Sequence, residues 1–289
     1  MNWIIYALAS AVLNSASTVI EKKVLVREHS MEYSAGIAFL IALLSLPYLF
    51  VADLGELNWT ILGIIYVGSL SAAGAYLFVA KAVRHMEVSE TTPLLNLGPA
   101  VTAFLAVIFL GESLNHWQVV GIGFMILGIY YLEGSQGSAV AFLKRLFLSK
   151  YNSYIVFALI LYGLSSITDQ MMIHYFNLQP ALYLGIIHIF IAINFLVVMQ
   201  LFFDGWHGIK LSLKRGGWLM ALASVLTILE RFFMMTSLQS AFVGLATGVK
   251  RVSSLFTTII GGGIFHEKNL IHKFTACLVI LSGIVLLVL

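Results

Sequence analysis

The segment FVGLATGVKRVSSLFTTIIGGG, residues 242–263, is the most informative part of the sequence, because it is apolar and carries Lys250 and Arg251 near its middle. As a helix that rises about 1.5 Å per residue, it spans roughly 33 Å, against a hydrocarbon core of roughly 30 Å. A charge at that depth costs at least about 2.5–3.5 kcal/mol. Two adjacent cations there therefore require a polar counterpart: a carboxylate, a water-filled cavity or an anionic ligand.

The chain as a whole has the composition of a membrane protein. Of its 289 residues, 60% are hydrophobic and 10% are charged, whereas soluble chains are about 25% charged. Its apolar segments are continuous rather than alternating, which excludes a β-barrel and predicts an all-α polytopic membrane protein. The single cysteine, Cys277, excludes disulfides and cysteine metal sites within one chain. The N-terminus lacks the basic region of a cleaved signal peptide, so none is predicted.

Ten apolar segments are predicted to cross the membrane as helices. They are residues 2–20, 33–51, 59–80, 88–110, 117–133, 153–172, 181–203, 217–238, 242–263 and 273–289. The connections between them are short, so that consecutive spans are expected to be antiparallel neighbours.

The two halves of the sequence repeat. A shift of 155 residues superposes Asn96 on Arg251, Glu112 on Glu267 and Gly128 on Gly283, and a shift of 151 superposes the first span of each half. The repeat unit is five spans, an odd number, so the second copy enters the membrane in the opposite orientation. Inverted repeats are typical of alternating-access carriers, whose binding site lies at the midplane between the repeats. The alternative is gene duplication in a membrane protein of another kind.

We therefore predict ten transmembrane helices in two inverted five-helix repeats around a central cleft. Residues 1–134 form the first repeat, residues 135–152 a linker, and residues 153–289 the second repeat.

The distribution of Lys and Arg predicts the orientation. Thirteen of the 16 lie in the connections that follow the odd-numbered spans, and the opposite side has none. The other three, Arg231, Lys250 and Arg251, lie inside spans. The positive-inside rule then places the odd connections in the cytoplasm and both termini outside, in a multi-pass protein of the cell (inner) membrane.

Polar side chains form stripes on five of the predicted spans. Steps of three and four residues place the members of each stripe on one helix face. The stripes are Ser10, Asn14, Ser17 and Glu21; Thr92, Asn96 and Thr102; Ser165, Thr168 and Asp169; Thr227, Glu230, Arg231 and Ser237; and Thr247, Lys250 or Arg251, Ser254, and Thr257 or Thr258. They can converge on a central cleft, and Pro93 and Pro99 are expected to loosen the helix around Asn96.

The ionisable groups of the cleft do not cancel. Asp169 and Glu230 oppose Arg231, Lys250 and Arg251, which leaves a formal charge of +1 unless an anion enters. Adjacent residues diverge by about 100° around a helix, so Lys250 and Arg251 cannot both point straight into one cavity. The structural alternative is that Glu230 pairs with Lys250 or Arg251, and Arg231 with Asp169.

We predict nine substrate-binding residues: Lys250, Arg251, Glu230, Asp169, Asn96, Asn14, Tyr76, Arg231 and Ser254. The two adjacent cations bind the negative end of a ligand. The carboxylates hold those cations in the empty site, or bind an amino group or a proton. For Tyr76 a packing hydrogen bond is the favoured alternative. No catalytic triad, metal-ligand spacing or paired carboxylates occur, so neither an enzyme nor a cofactor nor a metal is predicted.

The motifs TPLLN (residues 92–96), FLGESL (residues 109–114) and FHEK (residues 265–268) resemble the EamA-type repeat of the drug/metabolite transporter superfamily. The resemblance extends over nearly the whole chain. It implies a secondary carrier with a central cleft lined by the first, third and fourth spans of each repeat. It also implies cytoplasmic termini, as in many members, whereas the charge distribution of this sequence predicts the opposite.

The segment GVKRV, residues 248–252, is similar to the Lys-Arg pair of plastid phosphate translocators, a branch of the same superfamily in which the pair binds the substrate phosphate. By this resemblance the Arg251 guanidinium binds two oxygens of the ligand at once, and Lys250 contributes a single compact positive charge. That branch has a further cation just before the proline of the fourth span, where this sequence has Ser89 and Glu90. A carboxylate or a zwitterion is therefore as suitable a ligand as a phosphate.

The predicted function is secondary active transport of small polar metabolites that are anionic or zwitterionic, such as amino acids, organic acids or phosphorylated metabolites. Two alternatives stay open: a flippase for a lipid-linked phosphate headgroup, and a non-transporting membrane scaffold. The expected partners are the small-molecule substrate, a coupling proton or counter-substrate, and the lipid bilayer, but not nucleic acid. A monomer or a homodimer is expected.

Overall fold

The computed structural model describes residues 2–110, 114–132, 149–239, 246 and 249–288. Every regular element in these ranges is helical. The helices are α1 (Asn2–Leu25), α2 (Ser30–Val51), α3 (Trp59–His85), α4 (Val88–Leu95), α5 (Gly98–Leu110), α6 (His116–Leu132), α7 (Lys150–Gln170), α8 (Pro180–Phe202), α9 (Gly205–Leu238), α10 (Ser253–Phe256), α11 (Gly262–Ile264) and α12 (Leu270–Val288). Shorter turns are the 3-10 turn Leu54–Glu56 and the π-helical turns Met171–Tyr175 and Thr257–Gly261.

Seven of the described helices are long and apolar enough to cross a membrane by length and composition: α1, α2, α3, α7, α8, α9 and α12. Large apolar side chains on several of them point outward, including Phe50, Trp59, Leu201 and Ile271. Extensive exposed apolar surface is unfavourable in water but suits contact with lipid tails. The all-α fold of an integral membrane protein, predicted from composition, is confirmed.

Helix α9 has 34 residues, more than a bilayer requires, and it is divided at Gly217. This glycine has φ of 51° and ψ of −138°, a conformation that side chains with a Cβ rarely adopt. The residues before it include Lys210, Lys214 and Arg215, whereas those after it are apolar. Gly217 therefore separates a basic connecting segment from the part of α9 predicted as the eighth span.

The fourth span, which Pro93 and Pro99 were expected to loosen around Asn96, is interrupted by a turn at Asn96 and Leu97. The ninth span was predicted without a break, and this is wrong, because a turn at Arg251 and Val252 interrupts it. Pro99 follows the first turn and lacks a backbone N–H, so it cannot donate the hydrogen bond that would continue α4. The two turns fall on each other under the 155-residue shift.

The helix pairs that pack together follow the same correspondence between the two halves of the chain. The principal pairs are α1 with α9, α3 with α7, α2 with α8, and α6 with α12. The first helix of each half thus contacts the third helix of the other half. The second helices contact each other, and so do the fifth.

Helices α6 and α12 approach most closely where glycine removes a side chain. The contacts come in pairs related by the 155-residue shift: Gly128 with Ala276 and Ile280, and Gly283 with Gly121 and Met125. A Cβ added at Gly121 would lie 2.5 Å from the carbonyl oxygen of Gly283, and a Cβ added at Gly283 would lie 2.5 Å from that of Gly121. Exchanged contacts of this kind are typical of a two-fold interface.

We expect Gly121→Ala to lower the free energy of unfolding by about 1–3 kcal/mol, as overpacking of a tight interface does. The added Cβ would meet backbone atoms, the Gly283 oxygen at 2.5 Å and the Leu287 nitrogen at 2.7 Å, which cannot rotate away. Gly123 on the same helix has no atom within 4 Å of an added Cβ, so Gly123→Ala is the matched control. Thermal unfolding of both variants in detergent checks this, and equal melting temperatures would contradict the close approach.

Candidate functional site

Lys250 lies immediately before the turn in the ninth span and pairs with Glu230 of α9. Its Nζ is 2.5 Å from Glu230 Oε1. Ser10 of α1 donates to the same oxygen at 3.1 Å. Glu230 is almost fully buried, so its charge is stabilised by this cation and this hydroxyl rather than by water.

Arg231, the next residue of α9, pairs with Asp169 of α7. Arg231 Nη2 lies 3.8 Å from Asp169 Oδ2, which makes this a looser contact than the pair of Lys250. The other oxygen of Asp169 accepts a hydrogen bond from the hydroxyl of Tyr183 on α8. The two pairings predicted as the structural alternative are thus both present.

Arg251 has no carboxylate partner among the residues that the structure describes. Its Nη1 donates to the carbonyl oxygen of Leu95 at 3.1 Å. Leu95 is the last residue of α4, and the carbonyl end of a helix carries a partial negative charge that suits a cation. The positive excess predicted from the sequence is therefore located at Arg251, beside the interrupted fourth span.

Asn96, Ser254 and Asn14 surround the interruption of the ninth span. Asn96 Nδ2 donates to Ser254 Oγ at 2.7 Å, and Ser254 Oγ donates to the carbonyl oxygen of Arg251 at 2.7 Å. Asn14 Nδ2 donates to Ser253 Oγ at 3.1 Å. These bonds tie α1 and α4 to the start of α10 and hold the turn that presents Arg251. A direct contact of these three residues with a ligand stays a prediction.

Tyr76 of α3 is the last of the nine predicted residues, and its contact with a ligand stays a prediction. It interacts with Glu21, Tyr33 and Tyr162, which come from α1, α2 and α7. Tyr162 also lies within electrostatic range of Glu230, Arg231 and Arg251.

Three residues of the site were not among the nine predicted ones: Ser10, Tyr162 and Tyr183. Tyr162 stands three and seven residues before Ser165 and Asp169, so helical spacing places it on their stripe and was a usable signal. Tyr183 lies in an apolar span with no polar neighbour at helical spacing, and only the packing of α8 on α7 reveals its contact.

Glu267, which precedes the last helix, caps α4 of the other half. Its carboxylate accepts the backbone N–H groups of Val88 at 2.7 Å and Ser89 at 2.9 Å, and also the hydroxyl of Ser89. A negative charge at this position compensates the unpaired N–H groups at the start of a helix. Its repeat equivalent, Glu112, lies outside the described residues.

Further contacts of charged side chains lie beside this cap, those of Lys273 between the two halves and those of Lys22 within the first half. Lys273 of α12 pairs with Glu87 and with Glu90, the latter at 3.2 Å. Lys22 of α1 donates to two carbonyl oxygens at the end of α3, at 2.6 Å each. These contacts hold the helices together at the end of the bundle that carries the connections after the odd-numbered spans.

We expect Gly98→Ala to weaken anion binding by about tenfold, equivalent to about 1.4 kcal/mol. The added Cβ would lie 2.7 Å from Nη2 of Arg251, which must move away from its present position. That atom ends a flexible side chain, so the fold should tolerate the change. Gly63→Ala, which meets no atom within 4 Å, is the neutral control. Thermal-shift titration with succinate and phosphate measures the effect, and unchanged affinity would contradict it.

Comparison with known proteins gives three findings. Residues 1–134 match the model of the EamA-like transporter family. The "Uncharacterized transporter YwfM" of Bacillus subtilis is 26% identical over 137 residues, which cover 46% of this chain and 45% of that protein, less than half of its length. The "Uncharacterized protein MJ1333.1" of Methanocaldococcus jannaschii is 32% identical over 120 residues, which cover 41% of this chain and 82% of that protein.

A solved crystal structure shares the fold. The superposition covers 99% of this chain and 96% of the other chain, with a TM-score of 0.64 and 14% sequence identity. At that identity the likeness concerns the arrangement of helices alone.

Proposed function

Because the chain belongs to the EamA-like transporter family, we propose that it is a secondary active transporter that works by alternating access. Its substrates are small anionic or zwitterionic metabolites, such as amino acids, organic acids or phosphorylated metabolites. The observation that carries this proposal is the Arg251 guanidinium, which lies at the interruption of a membrane span and has no carboxylate partner among the described residues. A guanidinium in that position suits the bidentate binding of a carboxylate or phosphate.

The architecture that we propose is ten membrane helices in two inverted repeats, residues 1–134 and 153–289, joined by residues 135–152. The interruptions at Asn96 and Arg251 and the exchanged contacts of α6 and α12 support it, because both follow the 155-residue shift. The family match to residues 1–134 supports the first boundary. Interrupted helices at a repeat interface are where carriers place their substrates.

The mechanism is an exchange of partners at the cleft. An entering anion binds Arg251 and competes with Glu230 for Lys250, and this difference in contacts favours one opening of the cleft over the other. Opening toward the side of the odd connections requires Lys273 to separate from Glu87 and Glu90. The transported species are then the substrate and either a coupling proton or a counter-substrate.

The charge distribution supports a cell (inner) membrane location with both termini outside. A tag-protection assay on intact cells tests this orientation, because tags at either terminus should then be digested by external protease.

A thermal-shift screen tests the anion site. The panel contains small carboxylates, amino acids and phosphate monoesters, each beside its neutral amide or alcohol analogue. A ligand at 100 times its Kd should stabilise the protein by about 2.7 kcal/mol. Shifts confined to anions support the proposal, and equal shifts with neutral analogues would contradict it. A response confined to lipid-linked phosphates would instead favour a flippase.

A further inference from the structure

The polar stripe of α1 ends at Glu21, whose Oε1 has no partner among the described residues. Ser10 bonds Glu230, Asn14 bonds Ser253, and Ser17 bonds Thr227 at 2.8 Å, so three members of the stripe are engaged with other segments of the chain. Glu21 follows four residues after Ser17 on the same face. Its Oε1 is enclosed and accepts no hydrogen bond from any residue that the structure describes.

Three phenols lie within electrostatic range of the Glu21 carboxylate. They are Tyr33 of α2, Tyr76 of α3 and Tyr162 of α7. Tyr33 is completely buried, and its hydroxyl lies beside that of Tyr76. Three hydroxyls can donate to a carboxylate or accept from a protonated carboxyl, so this environment suits a group that changes its protonation state.

The cation next to Glu21 in the sequence binds other groups. Lys22, the neighbour of Glu21, binds carbonyl oxygens at the end of α3 and interacts with Glu87 and Glu267. Helix α9 packs on α1 beside Ser17, and its residues 217–229 contain no ionisable side chain. An ionised carboxylate without a cation is costly in an apolar interior, so the empty site favours the neutral, protonated form of Glu21.

The proton on Glu21 changes the charge of the cleft. Three carboxylates, Asp169, Glu230 and Glu21, balance the three cations of the cleft when all are ionised. Protonation of Glu21 leaves one positive charge in excess, which favours an anion at Arg251. Tyr162 lies within electrostatic range of both Glu21 and Arg251, so it is placed between the carboxyl group and the guanidinium that the proposal connects.

We propose that Glu21 is a proton-binding site and that its protonation promotes anion binding at Arg251. The second half of this statement rests on the proposed function. A proton passes from water to the Glu21 carboxylate on one side of the membrane and returns to water on the other, together with the substrate.

Infrared difference spectroscopy of the purified protein tests the first half without a substrate. Exposed carboxylates stay ionised between neutral and alkaline buffer, so a protonated-carboxyl carbonyl band lost in this interval belongs to a buried group. We expect wild type and Glu32→Gln, the control on α2, to lose this band, and Glu21→Gln to show no such loss. An identical loss in Glu21→Gln would overturn the assignment.

Thermal shift with succinate and phosphate tests the coupling. In wild type the stabilisation by these anions should fall as pH rises, whereas Glu21→Gln, which imitates the protonated form, should bind them with an affinity that does not change with pH. The same pH dependence in both proteins would overturn the coupling and leave the anion site intact. If neither anion raises the melting temperature of either protein but other anions of the screen do, the coupling experiment is repeated with those anions. If no anion shifts wild type, the proposed function fails, and the infrared result still decides whether Glu21 binds a proton.

Discussion

Arg251→Ala is expected to abolish anion uptake while the protein remains folded. Loss of a buried, charge-assisted contact to a ligand costs about 2–5 kcal/mol, which corresponds to at least about a 30-fold loss of affinity. The fold should survive because the only protein acceptor described for this guanidinium is the neutral carbonyl of Leu95, so no buried carboxylate loses its counter-ion.

The measurement is the uptake of one anion into proteoliposomes, and the anion is the one that gives the largest thermal shift. Arg251→Lys keeps the charge but loses the planar fork, so an intermediate rate is expected. Arg27→Ala, which removes an exposed guanidinium with no carboxylate partner among the described residues, is the control for a general loss of positive charge. A wild-type rate in Arg251→Ala would dismiss its role as the anion contact.

Glu230→Ala is expected to lower the free energy of unfolding by about 3–5 kcal/mol. Lys250 would then keep its charge in the interior without the carboxylate that now lies 2.5 Å away. Ser10 would also lose the acceptor of its hydrogen bond. The effect is measured as the melting temperature in detergent.

The double variant Glu230→Leu with Lys250→Met provides the test of this explanation. It removes both charges and fills a similar volume, so it should recover most of the lost stability, as replacement of other buried ion pairs by apolar groups has done. It should not recover transport, because the exchange of partners has been removed. A stable Glu230→Ala protein would show that the pair does not hold the bundle.

Much of the site was predictable because a charged side chain inside a membrane can be stabilised in only a few ways. Arg231 and Lys250 stand inside apolar spans, and only two carboxylates, Asp169 and Glu230, were placed at comparable depth. Pairing of Asp169 with Arg231, and of Glu230 with Lys250 or Arg251, follows from the cost of leaving a carboxylate alone in an apolar medium. The structure contains both pairs.

The role of Arg251 was not predictable in the same way. Lys250 and Arg251 are adjacent, and the sequence does not tell which of them meets Glu230. The turn at Arg251 and Val252 decides it, because the break directs one cation toward α9 and the other toward the end of α4. No proline in the described part of the ninth span signals this turn, and it is held instead by Asn96 and Ser254, which come from different halves of the chain.

Composition and hydropathy along the chain were enough to establish an all-helical membrane protein and to predict a repeated unit, because continuous apolar segments and their spacing are local properties that the bilayer imposes. Among the described residues, helix packing alone reveals which cation lacks a counter-ion and that Glu21 Oε1 lacks a partner. Whether a buried charge is compensated depends on what the neighbouring helices bring against it. In this chain those neighbours lie up to about 220 residues away in sequence, as Ser10 and Glu230 do.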